Sequence, residues 1–558
     1  MQKIKFWLLS VFSGGLLALS WPAIGDQWYL IFFAFIPLLW LEREILRSSA
    51  RRKALNVFGF AYLSFFLFNL LTTWWIYYAS DWGMAMAVIC NSFFMATVFS
   101  LFSYSKKWVG ERQGYFGLLF LWIGFEYLHI NWELSWTWLT LGNVFANQVQ
   151  WVQWYEYTGV LGGSLLILLV NLLLFSTLLR MLDRKKQGAD HTEATLTPVS
   201  KITPALPSAL FPLFLAAILL LMLGVYSANR FKSYQAEGEK INAVVIQPNI
   251  DPYYDKFQGI AESVQIDMML AQAQATVSDS IDLVILPETA FPTPSWEHDL
   301  SFMYGTEEFK SLIDNYPDLR VITGILSSKL YLKGDELSST AKKLPGEGWY
   351  DNYNAAMHLD SSDNIDIHRK SKLVLGAEKI PFMKTFPWLK KLSISLGGTT
   401  GRYGTQEFPS VFFDGNAKRG VGPIICYESI YGEYVTQYVR AGAELLVIIT
   451  NDGWWDDTPG YKQHLAYARL RAIECRRAIA RSANTGISAY IDEKGQILQQ
   501  TGWWEEAAIT QALQLNTEQS FYVRFGDFLG RISSFVAPLF LLLAWVKSRN
   551  KTEQRLKL

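Results

Sequence analysis

Apolar runs long enough to cross a bilayer alternate with short polar stretches over the first 230 residues, and one more lies near the end. A membrane helix needs about 20 mainly apolar residues to cover about 30 Å of hydrocarbon. The pattern predicts spans near 6–22, 27–42, 56–78, 84–104, 114–130, 159–179, 208–226 and 527–546. Residues 238–518 follow another rhythm. Short Val/Ile/Leu runs occur at 241–250, 281–288, 320–326, 421–428 and 444–450, each bounded by turn residues, as in strands buried on both faces. Helical patterns lie between them, at 259–278 and at 462–481, the latter an amphipathic helix with an arginine-rich face. Strands alternating with helices predict an α/β layered sandwich, whose functional site lies outside the carboxyl ends of its strands. The expected organisation is a membrane domain over 1–230 with seven spans, a globular domain over 238–518, and a final span with its tail over 525–558.

Composition agrees with such a hybrid. Hydrophobic residues make up 51% and charged residues 18% of the 558, against about 25% charge in a soluble chain. A mean hydropathy of +0.13 is too low for a chain that is membrane throughout. Three cysteines exclude a disulfide scaffold. Fifty basic residues balance fifty acidic ones, so no global field favours nucleic acid.

The basic residues are sorted, however. Lys3 and Lys5 precede the first span, Arg43, Arg47, Arg51, Arg52 and Lys53 follow the second, and Lys106, Lys107 and Arg112 follow the fourth. Arg180, Arg184, Lys185, Lys186 and Lys201 follow the sixth, and Lys547, Arg549, Lys551, Arg555 and Lys557 follow the last. Loops 23–26, 79–83 and 131–158 contain no Lys or Arg. The positive-inside rule then places both termini in the cytoplasm and the 238–518 domain outside. Residues 1–24 also resemble a cleaved signal peptide, although Trp21-Pro22 makes a poor cleavage site. The stretch 183–207 reads as a polar linker. Segment 131–158, with Trp132, Trp136, Trp138, Trp151 and Trp154, reads as an interfacial aromatic belt or a lipid-binding surface. Glu126, late in the fifth span, is either an intramembrane functional acid or one that reaches water.

Two strand runs end in reactive groups: Glu288 closes VILPE, and Cys426 precedes Tyr427-Glu428. A thiol needs a base and a positive neighbour to act as a nucleophile. Glu288 offers the base, and HRKSKLVLGAEKIP (368–381) offers Lys370 or Lys372 as the cation, with Glu378 after them. A buried core cysteine is the competing outcome, and spacing does not show that these groups meet. The six histidines have no metal-binding spacing, and no glycine-rich phosphate loop follows a strand, so no metal and no cofactor is expected. Cys90 and Cys475 read as packing residues.

LPETAFP (286–292), a K-x-x-L-V-x-x-x-E segment (370–378), CYE (426–428) and NDGWW (451–455) occur in that order. Together they resemble the nitrilase (carbon–nitrogen hydrolase) superfamily. With spans on both sides, the chain is more specifically similar to the bacterial apolipoprotein N-acyltransferases. The resemblance implies a nitrilase-like αββα sandwich, with Glu288 as general base, Lys370 as charge-stabilising lysine and Cys426 as nucleophile. Glu378, Glu428 and Tyr427 take supporting roles. Against the family pattern, His368 stands for a tyrosine and Leu375-Gly376-Ala377 for Pro-Phe-Gly, which leaves the loop's shape open and Lys372 as a second candidate.

The implied reaction is ping-pong transfer of an acyl chain from a phosphatidylethanolamine-like phospholipid, through a Cys426 thioester, to the α-amino group of a diacylglyceryl-cysteine apolipoprotein. The setting implied is a monomer in the bacterial cytoplasmic membrane, with the catalytic domain in the periplasm. Trp454, Trp455, Trp136, Trp138 and Glu126 are candidate substrate contacts, and Trp349-Tyr350 and Phe382–Trp388 candidate walls or lids; for the aromatics, ordinary packing competes. A membrane-bound amidase with the same triad is the alternative. A transporter with an outer binding domain would need charged residues along several spans, and few are present.

Overall fold

The computed structural model describes residues 2–190, 206–257, 259–346, 348–383, 385, 402–415 and 418–556. The chain opens with helices α1 (Gln2–Ser20), α2 (Ile36–Arg47), α3 (Lys53–Thr73), α4 (Ile76–Ala79), α5 (Asp81–Val109), α6 (Glu111–Asn131), α7 (Tyr155–Asp190) and α8 (Leu206–Ser233). Six helices among the described residues are long and apolar enough to cross a membrane: 3–20, 53–73, 81–109, 155–184, 208–233 and 528–551. The count of eight spans is therefore not reproduced. The expected span at 27–42 is a 3-10 turn at Trp28–Phe32 followed by the 12-residue α2, which reaches only about 18 Å at 1.5 Å per residue. The span at 114–130 corresponds to α6, which has the length, but Glu111, Arg112, Gln113, Glu126 and His129 dilute its apolar character. Helix α7 is kinked at Gly159 (φ 58°), where a Cβ would lie 2.4 Å from the Tyr522 ring.

The globular part contains β1 (Lys240–Gln247), α9 (Glu262–Thr276), β2 (Leu283–Ile285), β3 (Phe291–Trp296), α10 (Tyr304–Asn315), β4 (Arg320–Leu330), β5 (Lys342–Lys343), β6 (Trp349–Leu359) and β7 (Asp366–Arg369). It continues with β8 (Phe412–Phe413), β9 (Gly420–Ile425), α11 (Gly432–Arg440), β10 (Ala443–Thr450), α12 (Pro459–Cys475), β11 (Ile479–Ala483), β12 (Ala489–Ile491), β13 (Ile497–Gln500) and β14 (Ala507–Gln514). Short α13 (Phe521–Phe525) leads into the last long helix, α14 (Phe528–Leu556). One sheet runs β14-β1-β2-β4-β6-β5, with β3 on β4 and β7 on β6; the other runs β13-β12-β11-β10-β9-β8. The central strands β1-β2-β4 and β9-β10-β11 are parallel, as their unbroken apolar runs require.

The inner faces meet through Val245, Ile285 and Ile322 from one sheet and Ile425, Val447 and Ile449 from the other. Helices α9 and α10 cover the first sheet's outer face, and α11 and α12 cover the second's, giving an αββα sandwich. The helix expected at 462–481 stops at Cys475, because Arg476 turns left-handed (φ 50°) and β11 begins three residues later. Its arginines form no exposed face: Arg471, Arg476, Arg477 and Arg481 are all buried.

The α11/α12 layer rests on the helical bundle, and one apolar cluster runs from Phe65 and Trp122 through Trp138 to Tyr467 and Ile473. Trp21 Nε1 donates to Tyr467 OH (3.0 Å), and Gln463 Nε2 donates to the carbonyls of Pro22 and Thr72. Arg476 donates to Glu156 Oε2 of α7 at 2.7 Å. At the opposite end of the bundle, Lys5 meets Glu44, Arg43 meets Glu111, Lys106 meets Glu42 and Tyr104 donates to Ser548. Those contacts gather the start of α1 and the ends of α2, α5 and α14, where the basic residues cluster, away from the sandwich. Lys201 and Lys557 lie outside the described residues.

Candidate functional site

Three strand exits converge between the two sheets. Glu288 follows β2 in the turn 286–290, and this turn lies directly on β4 because residue 324 is glycine: a Cβ there would sit 2.4 Å from the Thr289 nitrogen. Lys370 follows β7 and Cys426 follows β9. Cys426 adopts φ 49° and opens the 3-10 turn Cys426–Ile430. A non-glycine residue in that region costs of order 1–3 kcal/mol and is kept only where its surroundings impose it.

Lys370 Nζ lies 3.0 Å from Glu288 Oε1 and 2.9 Å from Glu378 Oε1, and Asn354 Nδ2 donates to the same two oxygens at 2.8 and 3.0 Å. The thiol of Cys426 stands in the same buried cluster, where the charges of Glu288 and Lys370 both act on it. Burial pushes the Glu288 carboxyl up, but the charge of Lys370 and the hydrogen bonds from Asn354 and Lys370 bring it below its usual value. Burial and the neighbouring Glu288 push the Cys426 thiol up, and Lys370 only partly offsets this. The resting pair is thus carboxylate and thiol. Burial lowers Lys370, but Glu288 and Glu378 outweigh it, so the ammonium is held charged.

Lys370, and not Lys372, stands in this cluster. Lys372 Nζ sits over the rings of Tyr431 and Tyr434 at 5.4 and 5.3 Å. Where the Pro-Phe-Gly of the family is missing, the loop closes on itself: Gly376 turns at φ 84°, its N–H meets Lys379 O, and Val374 N–H donates to Glu378 Oε2 at 2.8 Å. Glu378 is thereby aimed at Lys370.

Glu428 lies apart from the thiol and joins the cysteine turn to the lysine loop. It accepts from the N–H groups of Ile425 (2.8 Å) and Ser371 (2.6 Å) and meets His368 Nε2 and Tyr438 OH, each at 3.2 Å. Burial raises its carboxyl, but His368 and the two N–H groups leave it below its usual value. Tyr427 is buried and pairs with Tyr431, whose hydroxyl reaches Ser135 of the aromatic segment at 2.9 Å.

The aromatic candidates divide. Trp138 is 1% exposed; it packs against Trp75, Trp136, Trp455 and Tyr467, and its Nε1 donates to Gln463 at 2.6 Å. Trp136 and Trp455 are half-buried in the same cluster. Trp454 stacks on Phe257 (6.3 Å, 18°) beside Tyr253, whose hydroxyl is within hydrogen-bond reach of the carbonyls of Trp454 and of Tyr78 in α4. Glu126 accepts from Trp122 Nε1 (3.0 Å) and Leu141 N–H (2.9 Å), so it ties the aromatic segment to α6. Trp349 and Tyr350 begin β6, away from the Lys370 end of the sheet. In Phe382–Trp388, residues 384 and 386–388 lie outside the described residues.

Two neighbours carried no signal in the sequence. Asn354 sits within β6 among residues of no distinctive pattern. Lys256 Nζ donates to the backbone carbonyl of Glu288 at 2.8 Å, and burial lowers it to about 7. Among the described residues no group of three His, Cys, Asp or Glu side chains suits a metal ion. The set brings together a thiol, a carboxylate able to take a proton and a fixed ammonium, the parts that covalent catalysis by a thiol requires.

Residues 13–173 match the apolipoprotein N-acyltransferase N-terminal domain, and residues 242–522 match the carbon-nitrogen hydrolase family. The apolipoprotein N-acyltransferase of Chlorobaculum tepidum is 31% identical over 562 residues, covering 98% of this chain and 97% of its own length. That of Geobacter metallireducens is 28% identical over 532 residues, covering 93% and 92%. Among solved structures, an amidase from Nesterenkonia sp. aligns with 54% of this chain and 99% of its own at 14% identity and a TM-score of 0.35.

Proposed function

The chain belongs to the apolipoprotein N-acyltransferase family, and on that premise we propose that Cys426, Glu288 and Lys370 carry acyl transfer through a thioester. The acyltransferase is a membrane protein of lipoprotein maturation. The observation that carries the assignment is a buried thiol, Cys426, that feels the charges of both Glu288 and Lys370, whose ammonium lies 3.0 Å from the Glu288 carboxylate.

As the phospholipid ester arrives, Glu288 accepts the thiol proton while sulfur bonds to the carbonyl carbon. Concerted transfer suits a pair whose resting state is thiol and carboxylate. Charge then develops on the carbonyl oxygen, where Lys370 Nζ and the N–H of Tyr427 stabilise it. The acyl C–O bond breaks, the leaving oxygen takes the proton from Glu288, and a lysophospholipid departs. The α-amine of a diacylglyceryl-cysteine next attacks the thioester. Glu288 takes the amine proton, the C–S bond breaks, and the returning proton restores the thiol. Glu378 and Asn354 hold Lys370, and Glu428 fixes the cysteine turn against residues 371–372.

The donor we assign is phosphatidylethanolamine-like and the acceptor a diacylglyceryl apolipoprotein, both anchored in the outer leaflet of the cytoplasmic membrane. A monomer holds the whole set. The basic residues at the bundle end remote from the sandwich support cytoplasmic termini and a periplasmic catalytic domain.

Intact-protein mass spectrometry after incubation with phosphatidylethanolamine vesicles tests this reading. One acyl adduct on the wild type, absent from Cys426→Ala and discharged by a diacylglyceryl lipopeptide, is expected. A folded, lipid-exposed enzyme without an adduct refutes the thioester, and discharge to water alone marks a hydrolase.

A further inference from the structure

A second set of buried polar side chains meets Cys426 from its backbone. Arg481 of β11 donates to Asp452 Oδ2 at 2.5 Å, and Asp452 Oδ1 lies 3.0 Å from Nδ1 of His464 on α12. The other ring nitrogen, Nε2, lies 2.9 Å from Ser429 Oγ and 3.2 Å from the carbonyl oxygen of Cys426, to which Ser429 Oγ also donates at 2.7 Å. Asp452 reaches the cysteine by a second route. Thr450 Oγ1 donates to its Oδ1 at 2.8 Å, and the Asp452 charge acts on the Cys426 thiol. Arg481, Asp452, His464 and Thr450 are each no more than 1% exposed. Buried charges of this kind persist only when paired and hydrogen-bonded, so the set has one low-energy arrangement.

That arrangement is keyed to the membrane part. The ring of Trp138, from the segment between α6 and α7, lies 5.9 Å from the His464 ring at 34°, and Trp455 closes the other edge at 5.6 Å. Trp138 is pinned by Gln463, the residue before His464, and by Trp75 between α3 and α4.

We propose that Asp452, His464 and Arg481 are positioning residues for Cys426, and that the membrane-borne Trp138 sets their alignment. They hold the carbonyl of a residue whose left-handed φ needs outside support. His464 acts through the backbone: its Nε2 faces a carbonyl and a hydroxyl, so it aims the sulfur rather than exchanging its proton. The inference rests on Cys426 being the nucleophile. It also gives the membrane part a second task besides anchoring, because a displaced aromatic segment would misalign the thiol.

The test uses the full-length enzyme in nanodiscs with phosphatidylethanolamine. Cys426 acylation is followed by time-resolved mass spectrometry over a range of donor concentrations, and Cys426 alkylation by iodoacetamide is followed without lipid. Misplacement of a reacting atom by about 1 Å costs about 100-fold, and His464→Ala is expected to lower the acylation rate constant by that order. Its half-saturating donor concentration should stay within about threefold, since no donor contact is lost. His464→Gln, whose amide can still face Asp452 and Ser429, should recover about tenfold of that loss, and Trp138→Phe should lose about fivefold.

A folded His464→Ala enzyme that acylates at the wild-type rate overturns the inference, as does a defect confined to half-saturation or a Gln variant no better than Ala. If the Ala variant does not fold, wild-type rates in both His464→Gln and Trp138→Phe overturn it. A wild type that never acylates refutes the covalent reading instead, and the alkylation ratio between His464→Gln and wild type still decides the positioning role.

Discussion

Replacing Lys370 by Met would strip the ammonium from between Glu288 and Glu378 while keeping most of the side chain's volume. Lys370 Nζ lies 3.0 Å from Glu288, and at an effective dielectric of about 20 two unit charges at that distance attract by about 5.5 kcal/mol. Desolvation offsets part of this, and removing one partner of a buried pair costs about 3–5 kcal/mol. The pH dependence carries the sharper expectation. In the wild type Glu288 is held below its usual value, so its stabilising contribution is present above the unfolded-state pKa and fades as pH falls through the folded value. Without Lys370 the burial remains and the carboxyl rises above its usual value, so the sign reverses. Stability is then lost as pH rises from the ordinary carboxylate range toward neutrality. Thermal unfolding of the sandwich from pH 4.5 to 8 checks this. The variant is expected to melt on the order of 10 °C below wild type at pH 7.5, at about 2–4 °C per kcal/mol, with the gap narrowing steadily toward pH 5. A gap that is constant or widens on acidification would refute the electrostatic account. Acylation should fall by about 10²–10³-fold at every pH.

Other outcomes follow from single contacts. Glu428→Gln turns an amide toward the N–H groups of Ile425 and Ser371, and a loss of about 3 kcal/mol is expected; because Glu428 is held below its usual value, the deficit should shrink in melts below about pH 4. Gly324→Ala places a Cβ 2.4 Å from the Thr289 nitrogen, so it should displace Glu288 and slow Cys426 acylation even where the protein still folds. Alkylation of Cys426 in the lipid-free enzyme should keep rising with pH past the range where a free thiol levels off, about 8.5, since burial and Glu288 push its thiol up; a plateau near 8.5 would contradict that. Cys90→Ala with Cys475→Ser should leave the acyl adduct intact, because neither thiol contacts the site.

Much of the architecture was readable because it follows from periodicity. Val/Ile/Leu runs of strand length mark β1, β2, β4, β9 and β10, whose centres are buried on both faces and carry few polar positions to blur the signal. Strand β6, WYDNYNAAMHL, was not legible, since it mixes polar and apolar residues along a length that pairs with β4, β5 and β7. Segment 462–481 misled for a related reason: arginine reads as surface in a one-dimensional pattern, yet four arginines here are buried on carboxylates and carbonyls. The stretch expected as one span at 27–42 is not one continuous α-helix, because hydropathy does not register the break at residues 33–35.

By itself the sequence determined which residues bear reactive groups and that they sit at strand ends, because strand exits are local events. It also determined the sorting of basic residues along the chain. Only the tertiary structure decided which groups meet: that Lys370 rather than Lys372 lies between two carboxylates, that Asn354 joins them, and that Glu428 braces a turn rather than facing the thiol. Only the tertiary structure, too, placed His464 and Trp138 one behind the other at Cys426. Such meetings join residues up to several hundred positions apart, and side chains that far apart are brought together by sheet register and by the docking of α12 on the membrane helices, which no local pattern encodes.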